Sequence, residues 1–220
     1  MCRVPIVAVN FISLSSNKMA TVIIQARLGS TRFPNKVEQV LPNKKRIIDS
    51  IIDTALSSNA KDIVVVTPDA KLMCTIDACQ VYLWGGERDV LGEFWFAAKN
   101  YEDDIIRLTA DCPLVTPEII NHVLDEYLGQ DVDYLYNSHD DYNPANDGFD
   151  VEIFSFQALK EAYEKATTVY DREHVTSWIV RNKKTAYCKM ELPEGCSVNT
   201  YADYIKVCQL MEHSCKEYLL

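Results

Sequence analysis

The chain has 220 residues, of which 48% are hydrophobic, and this length fits one domain with a sizeable core. Its formal net charge of −10 argues against nonspecific binding to nucleic acid, which requires a basic surface. No apolar stretch approaches the roughly 20 residues that a membrane-spanning helix needs. The 8 cysteines form no CxxC pair and no zinc spacing, which favours free thiols in a reducing cytoplasm.

The first 18 residues differ from the remainder of the chain. They read MCRVPIVAVNFISLSSNK and place Arg3 ahead of an apolar segment, as in a signal peptide. Asn10 interrupts that segment, however, and no A-x-A cleavage site follows it. We predict that residues 1–18 are a disordered extension or one that stems from an upstream start site, and that residues 19–220 form a single domain.

The remaining sequence alternates strand-like and helix-like segments. In chain order, apolar periodicity predicts a strand at 22–24, a helix at 47–56, a strand at 63–66, a helix at 71–78, a strand at 81–84, a helix at 90–99, a strand at 105–108, a helix at 117–128, strands at 132–136 and 149–154, helices at 157–166 and 173–180, a strand at 186–190 and a helix at 202–217. This alternation predicts a three-layer α/β/α sandwich around a mainly parallel, mixed sheet. Ligands of such sheets bind beyond the carboxyl ends of the strands.

A cationic loop follows the first predicted strand. Backbone N–H groups of a small-residue loop and several positive charges can converge on one polyphosphate. The loop matches neither the Walker A pattern nor the G-x-G-x-x-G fingerprint, so neither of those phosphate sites is predicted. Its cations are Arg27, Arg32 and Lys36, with Gly29, Ser30 and Thr31 between the two arginines.

An aspartate follows the predicted strand at 105–108 by three residues. A carboxylate at that position suits Mg²⁺, a hard cation that takes few protein ligands and leaves the other positions to phosphate and water. We therefore predict Asp111 as a metal ligand, the alternative being a turn or capping residue before Pro113. Cys112 lacks a partner histidine and is interpreted as a packing residue.

Five short motifs occur in the order found in one family of enzymes. The pattern A-R-x-x-S-x-R-x-x-x-K is met by Ala26, Arg27, Ser30, Arg32 and Lys36, and it is followed by GGERDVL at 85–91, RLTADCPL at 107–114, DGFDVEIFSF at 147–156 and REHVT at 172–176. In these motifs the chain resembles the spore coat polysaccharide biosynthesis cytidylyltransferase family, related to the CMP-sialic acid and CMP-Kdo synthetases. The resemblance covers roughly 190 residues from Thr21 onward.

The resemblance implies a fold, a reaction and a set of site residues. The implied fold is that of the nucleotide-diphospho-sugar transferases, and the implied reaction joins CMP from CTP to a sugar or sugar acid, possibly phosphorylated, with Mg²⁺ as cofactor and pyrophosphate as product. The implied residues are Arg27 and Lys36 for catalysis; Gln25, Ala26, Gly29, Ser30, Arg32, Arg88 and Asp89 for the nucleotide; Asp111 and Asn199 for the metal; and Asp147, Asp150, Glu152, Arg172 and His174 for the acceptor.

Simpler interpretations of the acceptor residues stay open. Asp147, Asp150 and Glu152 are equally well explained as a polar turn that enters a strand. Arg172 and His174 could belong to a helix N-terminus that is capped by Asp171.

The chain departs from the family pattern near its C-terminus. The family closes with a segment like V-D-T-P-E-D, whose first aspartate is the second metal ligand, whereas Asn199 occupies that position here. An amide oxygen can coordinate Mg²⁺ but carries no charge, so metal binding should be weaker. Asp203 is interpreted as part of a helix cap with Thr200 rather than as a replacement ligand.

Two alternatives to an active cytidylyltransferase remain. A metal-dependent glycosyltransferase would use a D-x-D at the end of a strand, and the candidate at 131–133 lies at the start of a predicted strand instead. A nucleotide- or sugar-binding relative could have lost activity through Asn199. We expect a cytoplasmic protein that binds neither nucleic acid nor membranes, and the aromatic residues of its acidic surface allow a homodimer.

Overall fold

The computed structural model describes residues 20–85, 89–138 and 146–217, with side chains up to residue 213. The strands are β1 Ala20–Gln25, β2 Asp62–Thr67, β3 Gln80–Leu83, β4 Asp104–Thr109, β5 Tyr134–Tyr136, β6 Glu152–Phe154 and β7 Thr185–Tyr187. The helices are α1 Ile47–Leu56, α2 Ala70–Met73, α3 Val90–Ala98, α4 Pro117–Leu128, α5 Phe156–Lys165, α6 Val169–Glu173, α7 Ser177–Asn182 and α8 Tyr201–Glu217. A 3-10 turn covers Lys36–Glu38.

The strands of the described chain form one mixed sheet in the order β3-β2-β1-β4-β6-β5-β7. β6 runs antiparallel to β4 and β5, while the other pairs are parallel. The strand order reverses between β1 and β4, and Gln25 is the register partner of Thr109 at their carboxyl ends. A reversal of this kind leaves a crevice in which ligands of α/β proteins bind.

Two apolar cores cover the two faces of the sheet, as the predicted sandwich requires. Val22 and Ile24 of β1 pack with α1, α4 and α8 on one face, whereas Ile23 packs with α3, α5 and α7 on the other. The same alternation separates Val65 from Val64 in β2. The period of two that a strand imposes on its side chains therefore fills both layers with β-branched residues.

Most predicted elements are confirmed, some with identical bounds. The helices at Ile47–Leu56 and Pro117–Leu128 begin and end where the sequence predicts. The predicted N-cap, Thr116, accepts a hydrogen bond from the N–H of Ile119, and Pro117 occupies the first helical position.

The predicted helix at 173–180 is wrong, because the chain breaks there into two short helices. Thr168 caps α6, and Ser177, the first residue of α7, donates its hydroxyl proton to Asp171 at 2.7 Å. Arg181 pairs with the same carboxylate, which holds the pKa of Asp171 at about 2. Asp171 is 3% exposed, so this buried carboxylate gathers donors from both helices and fixes the bend between them.

Four other predicted bounds were too long. The helix predicted at 71–78 ends at Met73, because the N–H groups of Thr75 and Ile76 donate to carbonyls three residues back instead of four. The strand predicted at 149–154 begins at Glu152, since side-chain atoms of Asn137 take the backbone groups of Phe149 and Val151. The strand predicted at 132–136 is the three-residue β5, and the strand predicted at 186–190 is the three-residue β7. These two strands pair with each other over those residues.

None of the helices in the described residues is long and apolar enough to cross a membrane. The six cysteines among the described side chains are free thiols.

Candidate functional site

A cavity of about 340 Å³ opens where β1 and β4 end. Gln25 and Thr109 form its floor, the loop after β1 forms one wall, and residues near α6 and α8 complete it. This cavity brings together most of the residues that the sequence assigned to nucleotide and metal, together with one acceptor residue: Gln25, Ala26, Arg27, Gly29, Ser30, Arg32, Lys36, Asp111, Asn199 and His174.

Backbone contacts fix the loop that follows β1. The N–H of Leu28 donates to Oδ2 of Asp69 at 2.7 Å, and the N–H of Asn35 donates to the carbonyl of Leu28 at 3.1 Å. Asn35 has a φ of 56°, which asparagine adopts more readily than most residues do. Asn35 precedes the 3-10 turn whose first residue is Lys36, and this turn directs the lysine back into the cavity.

Lys36 lies against the predicted metal ligand. Its Nζ donates to Oδ2 of Asp111 at 2.7 Å and to the carbonyl of Val198 at 2.8 Å. Burial opposes ionisation of Asp111, yet the charge of Lys36 and its hydrogen bond hold the pKa of Asp111 below its usual value. The lysine and the carboxylate therefore neutralise each other within the protein.

Arg32 contacts the other predicted metal ligand in the same way. Its Nη2 donates to Oδ1 of Asn199 at 2.8 Å. The N–H of Val198 donates to the backbone carbonyl of Asp111 at 2.7 Å, so Asn199 is held one residue away from that contact. Arg27 lines the cavity as an exposed side chain that makes no hydrogen bond with the described residues. Lys36 and Arg32 are thus in direct contact with the two predicted oxygen ligands of the metal.

The donor set at this position fits a hard divalent cation. Asp111 offers a carboxylate and Asn199 an amide oxygen, both ligand types that Mg²⁺ accepts. Within the described part of the chain, no group of three or more histidine, cysteine, aspartate or glutamate side chains could hold a metal. A metal here would therefore take few protein ligands and depend on bound phosphate for the remainder.

Asp203 is a capping residue and not a member of the donor set. Its Oδ2 accepts from the N–H of Asn199 at 3.1 Å and from the N–H of Thr200 at 2.7 Å. Thr200 Oγ1 in turn accepts from the N–H of Asp203 at 3.3 Å. This reciprocal pair is the predicted capping box, and it fixes the residue that precedes it, Asn199.

A buried glutamate behind the cavity floor was missed by the sequence analysis. Glu93 of α3 is 4% exposed, and its Oε2 accepts from Nε2 of Gln25 at 3.1 Å. Burial raises the pKa of Glu93 to about 7, although the hydrogen bond from Gln25 and the charge of Arg27 oppose this. The only sequence signal was a charged residue inside an otherwise apolar helix, VLGEFWFAA.

A second cavity, of about 460 Å³, adjoins the first through His174. Two predicted acceptor residues, Asp150 and Glu152, lie in its wall. Glu152 pairs with Arg107 and accepts a hydrogen bond from the hydroxyl of Tyr134 at 2.7 Å. Burial raises the pKa of Asp150, which accepts from the Cys112 thiol at 3.0 Å. Cys112 is 2% exposed and is part of the apolar core on one face of the sheet, as predicted.

Two other predicted site residues are engaged in internal contacts and lie outside both cavity linings. Asp147 accepts from the N–H of Ser197 at 3.1 Å and from its hydroxyl at 2.5 Å, which anchors the segment before Asn199. Arg172 pairs with Asp89 through Nε at 2.8 Å and Nη2 at 2.5 Å, and it also donates to the carbonyl of Tyr163.

The Asp89 carboxylate is also occupied, because it caps α3 by accepting from the N–H of Gly92 at 2.9 Å. Asp89 therefore joins the start of α3 to α6 through Arg172. Arg88, the remaining predicted nucleotide residue, lies outside the described residues. Glu173 and Thr109 line the first cavity without having been predicted as site residues, although they belong to the motifs REHVT at 172–176 and RLTADCPL at 107–114.

Comparisons with known proteins show the family of this chain. A family model described as Cytidylyltransferase matches residues 21–211. An uncharacterized protein of Methanocaldococcus jannaschii is 34% identical, in an alignment of 213 positions that covers 87% of this chain and 82% of the relative. The spore coat polysaccharide biosynthesis protein SpsF of Bacillus subtilis is 30% identical, in an alignment of 168 positions that covers 69% of each chain.

A solved structure shares the fold. A CMP:2-keto-3-deoxy-manno-octonic acid synthetase, determined in complex with CTP, superposes with a TM-score of 0.71 at 16% identity, and the match covers 90% of this chain and all of that one. The family model matches most of the chain, and the matched residues include the sheet apart from Ala20, together with the cavity at the carboxyl ends of β1 and β4. This chain belongs to the cytidylyltransferase family.

Proposed function

We propose that the protein transfers CMP from CTP to a hydroxyl group of a sugar or sugar acid and releases pyrophosphate. The observation that carries this proposal is the convergence of Arg27, Arg32 and Lys36 with Asp111 at the end of β1 and β4. Nucleotidyl transfer requires placed positive charge around the phosphates more than it requires covalent chemistry by the protein.

The roles of the side chains follow from their present contacts. A triphosphate that enters the cavity offers Lys36 and Arg32 stronger partners than a shared carboxylate and an amide oxygen. Their release would free Asp111 and Asn199 to hold Mg²⁺. The ion would neutralise phosphate oxygens and so favour departure of pyrophosphate.

The acceptor would lie in the second cavity, on the far side of His174. Asp150 and Glu152 can accept hydrogen bonds from sugar hydroxyls there, and His174 borders both cavities. SpsF is described as a protein of spore coat polysaccharide biosynthesis and the solved relative as a synthetase for a CMP-linked keto-sugar acid. These descriptions support a sugar or a sugar acid as the acceptor, used for a surface polysaccharide or glycan. A cytoplasmic homodimer stays a prediction.

A metal-dependent glycosyltransferase has less support. Asp131 and Asp133 precede β5, which is parallel to β7 and antiparallel to β6 and so has the same direction as β4. The start of β5 therefore lies at the sheet edge opposite the cavity. Lys184 pairs with Asp131 at 2.8 Å, and Asp133 accepts from backbone and hydroxyl groups.

Pyrophosphate release is the direct test. The full chain would be incubated with CTP, Mg²⁺ and each of a panel of sugars, sugar phosphates and sugar acids, and the CMP-linked product identified by mass spectrometry. Lys36→Met should lower the rate about 100-fold or more, because it removes a charge from the reacting phosphates. Lys45→Met is the matched control, since Lys45 forms an exposed pair with Asp53 at 2.5 Å.

The uncharged Asn199 favours a second possible outcome, in which the protein binds CTP without turnover. Asn199 provides no charge, so CTP binding without turnover of any acceptor at high Mg²⁺ would indicate a nucleotide-binding relative instead. Failure to bind CTP by calorimetry, with the chain folded, would overturn the proposal altogether.

A further inference from the structure

Gln25 and Glu93 form a contact that the proposed phosphate and metal contacts do not use. Gln25 is the last residue of β1, and its side chain lies on the face of the sheet that α3 covers, because Ile23 packs with α3 on that face. Glu93 projects from the first turns of α3 and accepts from Nε2 of Gln25 at 3.1 Å. A glutamate is rarely buried unless its carboxyl group has a partner, so this contact requires an explanation.

The contact fixes which end of the Gln25 amide is available to a ligand. An amide group has a donor nitrogen and an acceptor oxygen, whereas a carboxylate only accepts hydrogen bonds. Since one N–H of Nε2 is bound to Glu93, the amide is held in one orientation, and Oε1 is the atom of this cavity-lining side chain that can accept a hydrogen bond. The floor of the cavity therefore presents a hydrogen-bond acceptor of fixed orientation.

The charges of the cavity indicate which part of a nucleotide lies near Gln25. Lys36 and Arg32 lie with Asp111 and Asn199 toward the start of α8, where a triphosphate and its metal would bind. Gln25 lies on the side of α3, beside the apolar Val90. An uncharged, flat base can make polar and apolar contacts on the α3 side of the cavity. The charged groups on the α8 side would not stabilise it.

We propose that Glu93 is a positioning residue that orients the Gln25 amide so that Oε1 accepts a hydrogen bond from the exocyclic amino group of cytosine. Cytosine carries a donor at this position, whereas uracil carries a carbonyl oxygen. An acceptor of fixed orientation therefore binds CTP and repels UTP. The inference rests on the proposed function, since it assumes that a nucleoside triphosphate occupies this cavity.

Equilibrium binding separates this inference from the proposed reaction. The affinities of the full chain for CTP and for UTP would be measured by calorimetry in the presence of Mg²⁺ at pH 8.5, at which Glu93 is ionised. Gln25→Leu and Glu93→Leu should each reduce the ratio of the two affinities roughly tenfold, as expected for one oriented hydrogen bond. The double variant should reduce it no further, because both changes remove the same contact.

Two further variants guard against a general loss of structure. Glu93→Gln keeps an oxygen that can accept from Nε2, so it should restore part of the preference for CTP. Glu126→Leu is the matched control, because Glu126 also accepts from a glutamine, Gln130, at 3.2 Å on the exposed face of α4. A chain that folds and binds CTP, but whose preference over UTP survives both leucine substitutions, would overturn the inference. Loss of all CTP binding in the unaltered chain would instead overturn the proposed function.

Discussion

Lys36 and Asp111 form an ion pair that a bound ligand has to separate. The pair is 2.7 Å apart and partly buried, and Arg32 makes the corresponding contact with Asn199. A metal ion alone would have to displace the Lys36 ammonium group from Asp111, and a triphosphate alone would leave the Asp111 carboxylate without its partner. Binding of both together satisfies every group, so the two ligands should bind cooperatively.

The charge that Asn199 lacks gives a prediction about metal binding. Asn199→Asp keeps the acceptor oxygen that Arg32 contacts at 2.8 Å and adds a negative charge to the donor set. The Mg²⁺ concentration at half-maximal pyrophosphate release should fall roughly tenfold, because affinity for hard cations rises with ligand charge. Asn182→Asp adds the same charge at an exposed position and should leave that concentration unchanged. An unaltered Mg²⁺ dependence in Asn199→Asp would show that residue 199 does not touch the ion.

The raised pKa of Glu93 predicts a pH dependence of stability. The ordinary pKa is 4.5, and burial raises it to about 7 in the folded chain. Between these values the folded chain holds a proton that the unfolded chain has released. Stability contributed by this group therefore falls as pH rises through that interval, by at most roughly 1.4 kcal/mol per pH unit.

Urea unfolding at several pH values would measure this effect. Glu93→Gln cannot titrate, so its free energy of unfolding should fall less than that of the unaltered chain between pH 4.5 and 7. Glu126→Gln, on an exposed face, should follow the unaltered chain. Parallel curves for Glu93→Gln and the unaltered chain would contradict a raised pKa.

Among the elements, the loop after β1 and the start of α8 act as one unit. Phe33 packs edge-on against Tyr201 with ring centroids 5.8 Å apart and also contacts Tyr204 at 6.0 Å. The hydroxyl of Tyr204 donates to the carbonyl of Val40 at 2.6 Å. These contacts hold the cationic loop against the segment that carries Asn199, so the triphosphate site depends on aromatic packing outside the cavity.

Phe33→Ala should therefore raise the KM for CTP more than it lowers kcat. One aromatic pair contributes about 1 kcal/mol, which corresponds to roughly a fivefold change. The control is Phe156→Ala, which removes a stacking contact with Trp95, at 5.6 Å, at the start of α5. Both variants should lose stability in thermal unfolding, but a change in KM confined to Phe33→Ala would identify the loop as the affected element. Equal KM changes would contradict this.

The bend between α6 and α7 shows why local periodicity was insufficient. Apolar spacing predicted a helix across 173–180, and that pattern contains no helix breaker. The bend depends on Asp171, which collects hydrogen bonds from Thr168, Ser177 and Arg181. Such a convergence is a tertiary arrangement of polar groups, and it places His174 between the two cavities.

For the whole molecule, the two cores on either face of one sheet predict that residues 19–220 are sufficient for folding. Val22 and Ile24 already connect the first strand to one core and Ile23 connects it to the other. A chain that starts at Met19 should unfold in one transition. Its affinity for CTP should be within about twofold of that of the full chain, because residues far from the site usually have small effects on it.

Thermal unfolding and calorimetry would check this prediction. The matched comparison is a chain that starts at Val22, which loses Ala20 and Thr21 of β1 and should be less stable. Two separate transitions, or CTP binding that requires residues 1–18, would contradict the single-domain assignment.

The sequence by itself determined the sandwich and the cationic loop. Buried strands and amphipathic helices are local, periodic patterns, and Arg27, Arg32 and Lys36 are close to one another along the chain. The carboxyl-end rule for parallel sheets then placed the loop near Asp111 before any contact was known.

Only the tertiary structure decided which charged groups face a ligand and which face each other. Arg172 and Asp89 both occur in recognisable motifs, yet they pair with one another across 83 residues of sequence. Glu93 belongs to no functional motif, yet it lies under the cavity floor and accepts a hydrogen bond from Gln25. The physical reason is that periodicity depends on neighbours along the chain, whereas the partner of a buried charge depends on which distant elements the two cores bring together.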